Sequence, residues 1–368
     1  MLPRKLISQP EPIAFMAKKR LPLIEVSGSN YEMGFQHGKE CSDKIRKVIE
    51  SRLWMINCTR ALTLEQALSE ANPYLPHIQS FAPHLVTEMQ GIADGANVPL
   101  SHVLFVNIAT ELTRYGCGCS AFAISGRGTK SGQIIAGQNW DTYAPGIEEC
   151  LIMLHTAPIG RPEALMFTYA GVLGYMGINS SGVSHFSNSL VSPDSRLGVS
   201  HYFLFREFLE LQNVHACVQL VSRTEVASSE NNVLTDGQGR ILDMELTPGQ
   251  YDLFEGDDGF IVHTNHFTSP KLKHLERFLP NIPDSPRRLE RLRDLVEKDF
   301  GKIDVQTIKT MLCDHDGYPS SLCRHLMQEG PLPGIFKTSA SLIAEPEKRT
   351  MHVALGNPCE NEYYTYQL

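Results

Sequence analysis

No stretch of this 368-residue sequence holds the roughly 20 consecutive apolar residues that span a bilayer, which argues against a transmembrane helix. The segment from Met1 to Leu21 lacks the uninterrupted apolar core of a signal peptide, because Pro3, Pro10 and Pro12 share it with Lys5, Lys18, Lys19 and Arg20. Positive charge is not in excess. A net charge of -8 argues against nucleic acid or an anionic membrane surface as the main partner. A disulfide framework is missing too, since nine cysteines are an odd number, irregularly spaced along a long chain. Most are expected to be small buried hydrophobes. Internal repeats and low-complexity segments are absent. A cytoplasmic protein without nucleic-acid or membrane partners is the expectation.

What is present is an ordinary globular composition, 42% hydrophobic and 20% charged, enough for one large domain or two smaller ones. Pro22 to Val26 reads as a strand, and Ser27 to Asn30 offers caps for one helix from Tyr31 to Met55. Thr63–Ala71, Pro83–Ala93 and Leu100–Leu112 carry apolar residues at helical spacing. From Cys119 the pattern changes. Ser120–Ile124 and Gln133–Ala136 flank the glycine-rich Gly126–Gly132 as a hairpin. Leu151–His155, Ala164–Tyr169 and Val183–Asn188 read as strands, and Asn232–Leu246 as a hairpin turned by Asp236–Gly239. Tyr251–Phe254 and Gly259–Thr264 suggest one more hairpin. Helices are expected at Tyr202–Leu211, Val214–Ser222, Pro286–Lys298 and Val305–Cys313, then strands at Ser339–Ala344 and Thr350–Leu355. Segregated helices and strands indicate an α+β layered fold rather than a doubly wound one.

A cysteine that opens a strand-rich segment suggests an N-terminal nucleophile, with its own α-amine as base. The motifs around it are Gly118-Cys119-Ser120-Ala121-Phe122, Gly137-Gln138-Asn139-Trp140-Asp141, His263-Thr264-Asn265-His266 and Tyr318-Pro319-Ser320-Ser321-Leu322-Cys323-Arg324. With Tyr31–Gly38, Gly91–Ala96 and Leu355–Pro358 they follow in order along nearly the whole chain. Together they resemble the fungal acyl-coenzyme A:6-aminopenicillanic acid acyltransferase family. That resemblance implies the N-terminal nucleophile (Ntn) hydrolase fold, an αββα sandwich. It also implies a self-processing enzyme cut at Gly118–Cys119, giving a mainly helical fragment 1–118 and a strand-rich catalytic fragment 119–368. The two would stay together as one domain, a heterodimer of the chain's own pieces.

In the resemblance Cys119 is the nucleophile. Asp141 orients the thiol or its amine, Asn265 stabilises the oxyanion through its side-chain N–H groups, and Arg324 pairs with Asp141 or with a substrate carboxylate. Ser321 matches the serine of the same Ser-x-Cys-Arg motif. Tyr115 and Trp140 complete the set as supporting or substrate-binding residues. Gly118 suits the scissile position because it puts no side chain in the way. Cys117 also follows a glycine and competes as a cleavage point, but it would shift the register of Ser120–Phe122. Each residue has a plainer alternative: a buried cysteine, turn-starting Asp141, turn-capping Asn265, an ordinary ion pair for Arg324.

No metal is expected. His263 and His266 have zinc-like spacing but lie in a strand or turn without a third ligand. No resident cofactor is expected either, with an acyl-coenzyme A as co-substrate. Asp314-His315-Asp316 reads as a solvated loop, and Arg287, Arg288, Arg291 and Arg293 as the polar face of an amphipathic helix. The expected activity is transfer of an acyl group from a thioester to an amine. An amidohydrolase releasing an acyl or aminoacyl group to water is the alternative, and a non-catalytic binding protein is the third. The hairpin after Cys119 is longer than in the penicillin enzymes and Tyr366-Gln367-Leu368 is not their peroxisomal ending, so specificity for 6-aminopenicillanic acid does not carry over.

Overall fold

A computed structural model describes residues 20–113, 118–142, 146–326 and 336–368. Two sheets face each other. The eight-stranded sheet contains β1 (Leu23–Gly28), β4 (Leu151–Pro158), β5 (Ala164–Tyr169), β6 (Met176–Asn179), β7 (Ser184–Ser189), β8 (Glu230–Thr235), β9 (Ile241–Leu246) and β10 (Tyr251–Glu255), in that spatial order. The six-stranded sheet runs β11 (Phe260–His263), β2 (Gly118–Ile124), β3 (Ile135–Thr142), β12 (Lys337–Glu345), β13 (Thr350–Leu355) and β14 (Tyr364–Gln367). Every strand pair is antiparallel except β1 with β4.

Strand alternation explains the layers. Cys119, Ala121, Ala123, Ala136 and Trp140 point between the sheets into the main core. Phe122, Ile124, Ile135 and Ile343 point the other way, into a second core. Helices α9 (Ser285–Asp299) and α10 (Val305–Leu312) cover that outer face. The remaining helices cover the eight-stranded sheet: α1 (Asn30–Glu40), α2 (Ser42–Asn57), α3 (Leu64–Ala71), α4 (Leu75–Phe81), α5 (Pro83–Ala96), α6 (Leu100–Thr113), α7 (His201–Phe208) and α8 (Val214–Val221). The result is the αββα sandwich.

Local chemistry sets the helix starts. Ser29 with Glu32, and Thr63 with Gln66, form reciprocal capping boxes on α1 and α3. Helices α1 and α5 touch backbone to backbone. A Cβ on Gly34 would lie 2.0 Å from the Glu88 carbonyl oxygen, and one on Gly91 2.2 Å from that of Tyr31. The glycines of two of the family-like motifs are therefore a packing requirement.

Two expectations need correction. The single helix Tyr31–Met55 is two helices broken at Cys41 (φ -108°, ψ 14°), because α1 docks on α5 while α2 turns to bury a different face. Tyr251–Phe254 and Gly259–Thr264 do not pair. β10 joins β9, whereas β11 crosses to the other sheet and joins β2. The turn between them, closed by the Gly259 N–H on the Gly256 carbonyl at 2.8 Å, sends the half-buried strand to one edge and the fully buried strand to the other.

Candidate active site

Cys119 is the second residue of β2 and pairs with Trp140 of β3. On its other flank β11 stops at His263, which pairs with Ala121, so among the described residues no strand pairs with Cys119 on that side. Side chains take over. The Cys119 N–H donates to Asn265 Oδ1 at 2.8 Å, and the Cys119 carbonyl accepts from Arg288 Nη1 at 2.7 Å. Asn265 belongs to the turn directly after β11. Its peptide N–H donates to Ser285 Oγ at 2.8 Å, so the start of α9 fixes that turn.

Arg288 is the hub. It is 1% exposed, and its guanidinium donates to Ser120 Oγ at 2.9 Å, Asn265 Oδ1 at 3.0 Å and Asp284 Oδ2 at 2.7 Å, besides the Cys119 carbonyl. These partners settle which end of the Asn265 amide is oxygen, because two donors converge on it. Asn265 Nδ2 points instead to the Ser189 carbonyl at the end of β7, 3.2 Å away. In the intact chain the Asn265 oxygen thus faces the Cys119 nitrogen.

Asp141 projects from the opposite face of β3 to Trp140. It lies over Gly118, where a Cβ would sit 3.0 Å from Asp141 Oδ2. Asp141 accepts a hydrogen bond from Thr338 at 2.8 Å and faces Arg324 Nε at 3.4 Å. Burial pushes its carboxyl above the ordinary range, against the pull of Arg324 and Arg288. Arg324 also bonds Asp284, which thereby bridges the two arginines. Burial acts to raise the Asp284 pKa too, but Arg288 and Arg324 outweigh it and hold the carboxyl low. Cys119, Asp141, Asn265 and Arg324 are therefore one buried cluster with Arg288, closed by the half-buried Asp284.

The other candidates lie around it. Ser321 donates to the Cys323 carbonyl at 2.6 Å, shaping the turn that presents Arg324. Trp140 is buried between the sheets, its Nε1 donating to the Tyr175 hydroxyl at 3.1 Å. Tyr115 and Cys117 lie outside the described residues. His263 and His266 are used within the fold: His263 Nε2 meets Glu245 at 3.0 Å, and His266 Nδ1 meets Ser285 Oγ at 2.8 Å. A cavity of about 730 Å³ lined by Met55, Tyr74, Glu111, Tyr175, Ser189 and Leu190, among others, meets the cluster through Ser189, whose carbonyl accepts from Asn265; the six cluster residues themselves do not line it.

Arg288 and Asp284 were not expected here. The run of arginines in α9 reads as a solvated face, yet the helix docks the 314–324 loop. Arg287 donates to the Gly317 and Ser320 carbonyls, and Arg291 to Asp314, so Asp314 is not a free solvated residue. A sequence signal existed: Ser285-Pro286 after Asp284 marks a helix start, which puts residue 288 one turn in on the same face. Which face is buried was not readable from four arginines.

The family model described as acyl-coenzyme A:6-aminopenicillanic acid acyl-transferase matches residues 127–360. The 40 kDa form of acyl-coenzyme A:6-aminopenicillanic-acid-acyltransferase from Emericella nidulans is 29% identical over 346 residues, covering 91% of this chain and 92% of that protein. Among solved structures, a variant of conjugated bile acid hydrolase from Clostridium perfringens aligns with a TM-score of 0.45 at 15% identity, over 68% of this chain and 97% of that one. Penicillin V acylase from Agrobacterium tumefaciens aligns with a TM-score of 0.43 at 10% identity, over 64% of this chain and 82% of that one.

Proposed function

Since the chain belongs to the acyl-coenzyme A:6-aminopenicillanic acid acyl-transferase family, we propose that it is a self-processing acyl-transfer enzyme whose nucleophile is the Cys119 thiol. The observation that carries this reading is the double anchoring of Cys119 by buried side chains, Asn265 on its N–H and Arg288 on its carbonyl, where β11 ends. A cysteine serving only as core filler has no need of a buried guanidinium on its peptide.

Processing begins with attack of the Cys119 sulfur on the Gly118 carbonyl carbon. The Gly118–Cys119 C–N bond breaks, a thioester forms, and the nitrogen takes the thiol proton. Water then cleaves the thioester, leaving a carboxylate on Gly118 and a free thiol and α-amine on Cys119. Asn265 Oδ1 and Arg288 share the neighbourhood of that nitrogen. An α-amine has an ordinary pKa of about 7.7–8.0, far below that of a lysine, so a fraction of it is uncharged at neutral pH. It is then a competent base for the thiol at neutral pH.

In turnover the thiolate attacks the acyl carbonyl, the leaving group takes a proton from the ammonium, and an acyl-enzyme remains. Asn265 can serve both ends of this step, its oxygen on the Cys119 nitrogen and its Nδ2 toward the developing oxyanion, a contribution of about 3–4 kcal/mol. Asp141, Asp284 and Arg324 hold Arg288 and the Gly118 backbone in position. The donor we assign is a thioester such as an acyl-coenzyme A and the acceptor an amine, with the neighbouring cavity taking the acyl group. Amide hydrolysis uses the same acyl-enzyme with water as the second nucleophile. A cytoplasmic heterodimer of fragments 1–118 and 119–368 belongs to the same proposal.

Intact mass and N-terminal sequencing test the processing. Two fragments are expected, one beginning at Cys119, and a single uncut chain from Cys119→Ala. A wild-type chain that stays whole while active rejects self-processing. A labelled acyl-enzyme challenged with amines and with water distinguishes transfer from hydrolysis.

A further inference from the structure

Away from Cys119, the loop that carries Arg324 brings together four side chains that the catalytic cluster does not use. His315 and His325 approach each other at 3.1 Å between Nε2 atoms. Cys323 Sγ lies 3.5 Å from Cys359 Sγ and 3.7 Å from His325 Nε2, and Cys359 Sγ is 3.4 Å from the same nitrogen. All four ligand atoms fall within 4.8 Å of one another.

Hydrogen bonding does not account for this convergence. A neutral imidazole nitrogen has either one proton or one lone pair, yet His325 Nε2 faces three polar atoms at once. A cation at the centre of the group uses one lone pair from each side chain. The spacing fits one metal: with Zn–S near 2.3 Å and Zn–N of about 2.0–2.1 Å, a tetrahedron has edges of roughly 3.3 Å between nitrogens, 3.6 Å between nitrogen and sulfur, and 3.8 Å between sulfurs. Four of the six edges are within a few tenths of an ångström of these, and the two from His315 to the sulfurs lie within 4.8 Å.

The surroundings have the features that orient metal ligands. Glu360 Oε1 lies 3.7 Å from His325 Nδ1, the nitrogen turned away from the cluster. Asn357 Nδ2 lies 3.4 Å from Cys323 Sγ and 2.7 Å from the Arg324 carbonyl. The other group of metal-type residues, His84, Glu207 and Glu210, lacks this character, because Glu210 is already bonded to Arg161 and Arg206.

We propose that His315, Cys323, His325 and Cys359 form a structural zinc site that pins the Arg324 loop to the turn after β13. Two thiolates balance the charge of Zn²⁺, and the closed four-ligand set leaves no open position for chemistry. Arg324 sits between two of the ligands, so the metal fixes the residue that bridges Asp284 and Asp141. This departs from the sequence expectation of no metal, because the four ligands are scattered from position 315 to 359 and contain no Cys-x-x-Cys pair.

The test uses the full chain with any affinity tag removed. Elemental analysis after gel filtration is expected to find about one zinc per chain. After removal of zinc with a chelator, cobalt(II) is expected to give the visible bands of a tetrahedral site and sulfur-to-cobalt charge transfer, both saturating at one equivalent. In Cys359→Ala with His315→Ala, these signals should disappear while circular dichroism keeps the native spectrum. A wild-type chain that retains no zinc and gives no charge-transfer band at saturating cobalt overturns the proposal, with no variant needed. Recovery of a Cys323–Cys359 disulfide as the only state of unreduced protein overturns it as well.

Discussion

Two arginines, Arg288 and Arg206, are buried to nearly the same degree and are engaged in opposite ways. Arg206 on α7 is fully buried and donates to the Glu88 and Glu210 carboxylates and the Leu173 carbonyl. Burial works against its charge, but Glu88 and Glu210 outweigh it and hold the guanidinium more firmly protonated than usual. Arg288 has one carboxylate, Asp284. Its remaining bonds go to three neutral oxygens, two of them on Cys119 and on its anchor Asn265. Arg206 is held by two carboxylates, whereas Arg288 shares Asp284 with Arg324 and gives its other bonds to Cys119, Ser120 and Asn265. Equal burial therefore does not mean equal engagement; the charge of the partners separates an arginine held by carboxylates from one that also holds neutral oxygens of the proposed site.

The comparison can be broken most severely at Cys119. Cys119→Ala is expected to abolish chain cleavage and acyl transfer entirely, with the melting temperature unchanged or raised, as read by gel electrophoresis, product assay and calorimetry. Next is Arg206→Met, which removes the ion-pair partner of the buried Glu88 and leaves Glu210 with Arg161. It should cost about 3–5 kcal/mol of stability in urea unfolding, while the protein that remains folded still processes. Arg288→Lys should reverse that pattern. Loss of the forked contacts to Cys119 and Asn265 is expected to slow cleavage by about 10²–10³-fold. If Arg288→Lys cleaved normally and only melted earlier, the functional reading of this arginine would be wrong.

Acid distinguishes the two regions further. His37, beside Arg206, is held to about 4 by burial and then by that arginine, and His185 is brought to about 4 by burial. Each must stay neutral; the Gly171 N–H donates to His37 Nε2 at 2.9 Å. Below the ordinary histidine pKa of about 6.5 the unfolded chain takes up protons that the native state refuses. Stability is therefore full above pH 6.5 and falls as pH drops toward 4, by about 2 kcal/mol per histidine at pH 5. Urea melts at pH 5 and 7 should show this loss, reduced in His37→Gln. The smallest effect is expected from Trp140→Phe, which removes the hydrogen bond to Tyr175 and should cost about 1 kcal/mol.

Much of this was legible in the chain. The change from helical to alternating patterns at Cys119 is visible because strand and helix periods differ, and the glycine turns at 126–132 and 236–239 mark real hairpins. The motif order pointed to Cys119, Asp141, Asn265 and Arg324, and the fold brings all four together. The sequence was silent where partners are far apart along the chain. Nothing local says that β11 leaves β10 for β2, yet that crossing is what ends a strand beside Cys119 and lets Asn265 in. The same holds for Arg288, which looks like its neighbours Arg287 and Arg291.

What the sequence by itself determined is the set of local choices: helix caps at Ser29 and Thr63, strand alternation in β2 and β3, and the close-packing glycines of α1 and α5. These depend on backbone conformation and on residues within a few positions. The tertiary structure alone decided which polar groups are buried together. Arg288 became the hub of the proposed site, and His315, Cys323, His325 and Cys359 came within 4.8 Å of one another, only when distant segments met. The physical reason is that a charged or metal-binding side chain reads the same in any sequence; its role depends on the partners that replace water when it is buried.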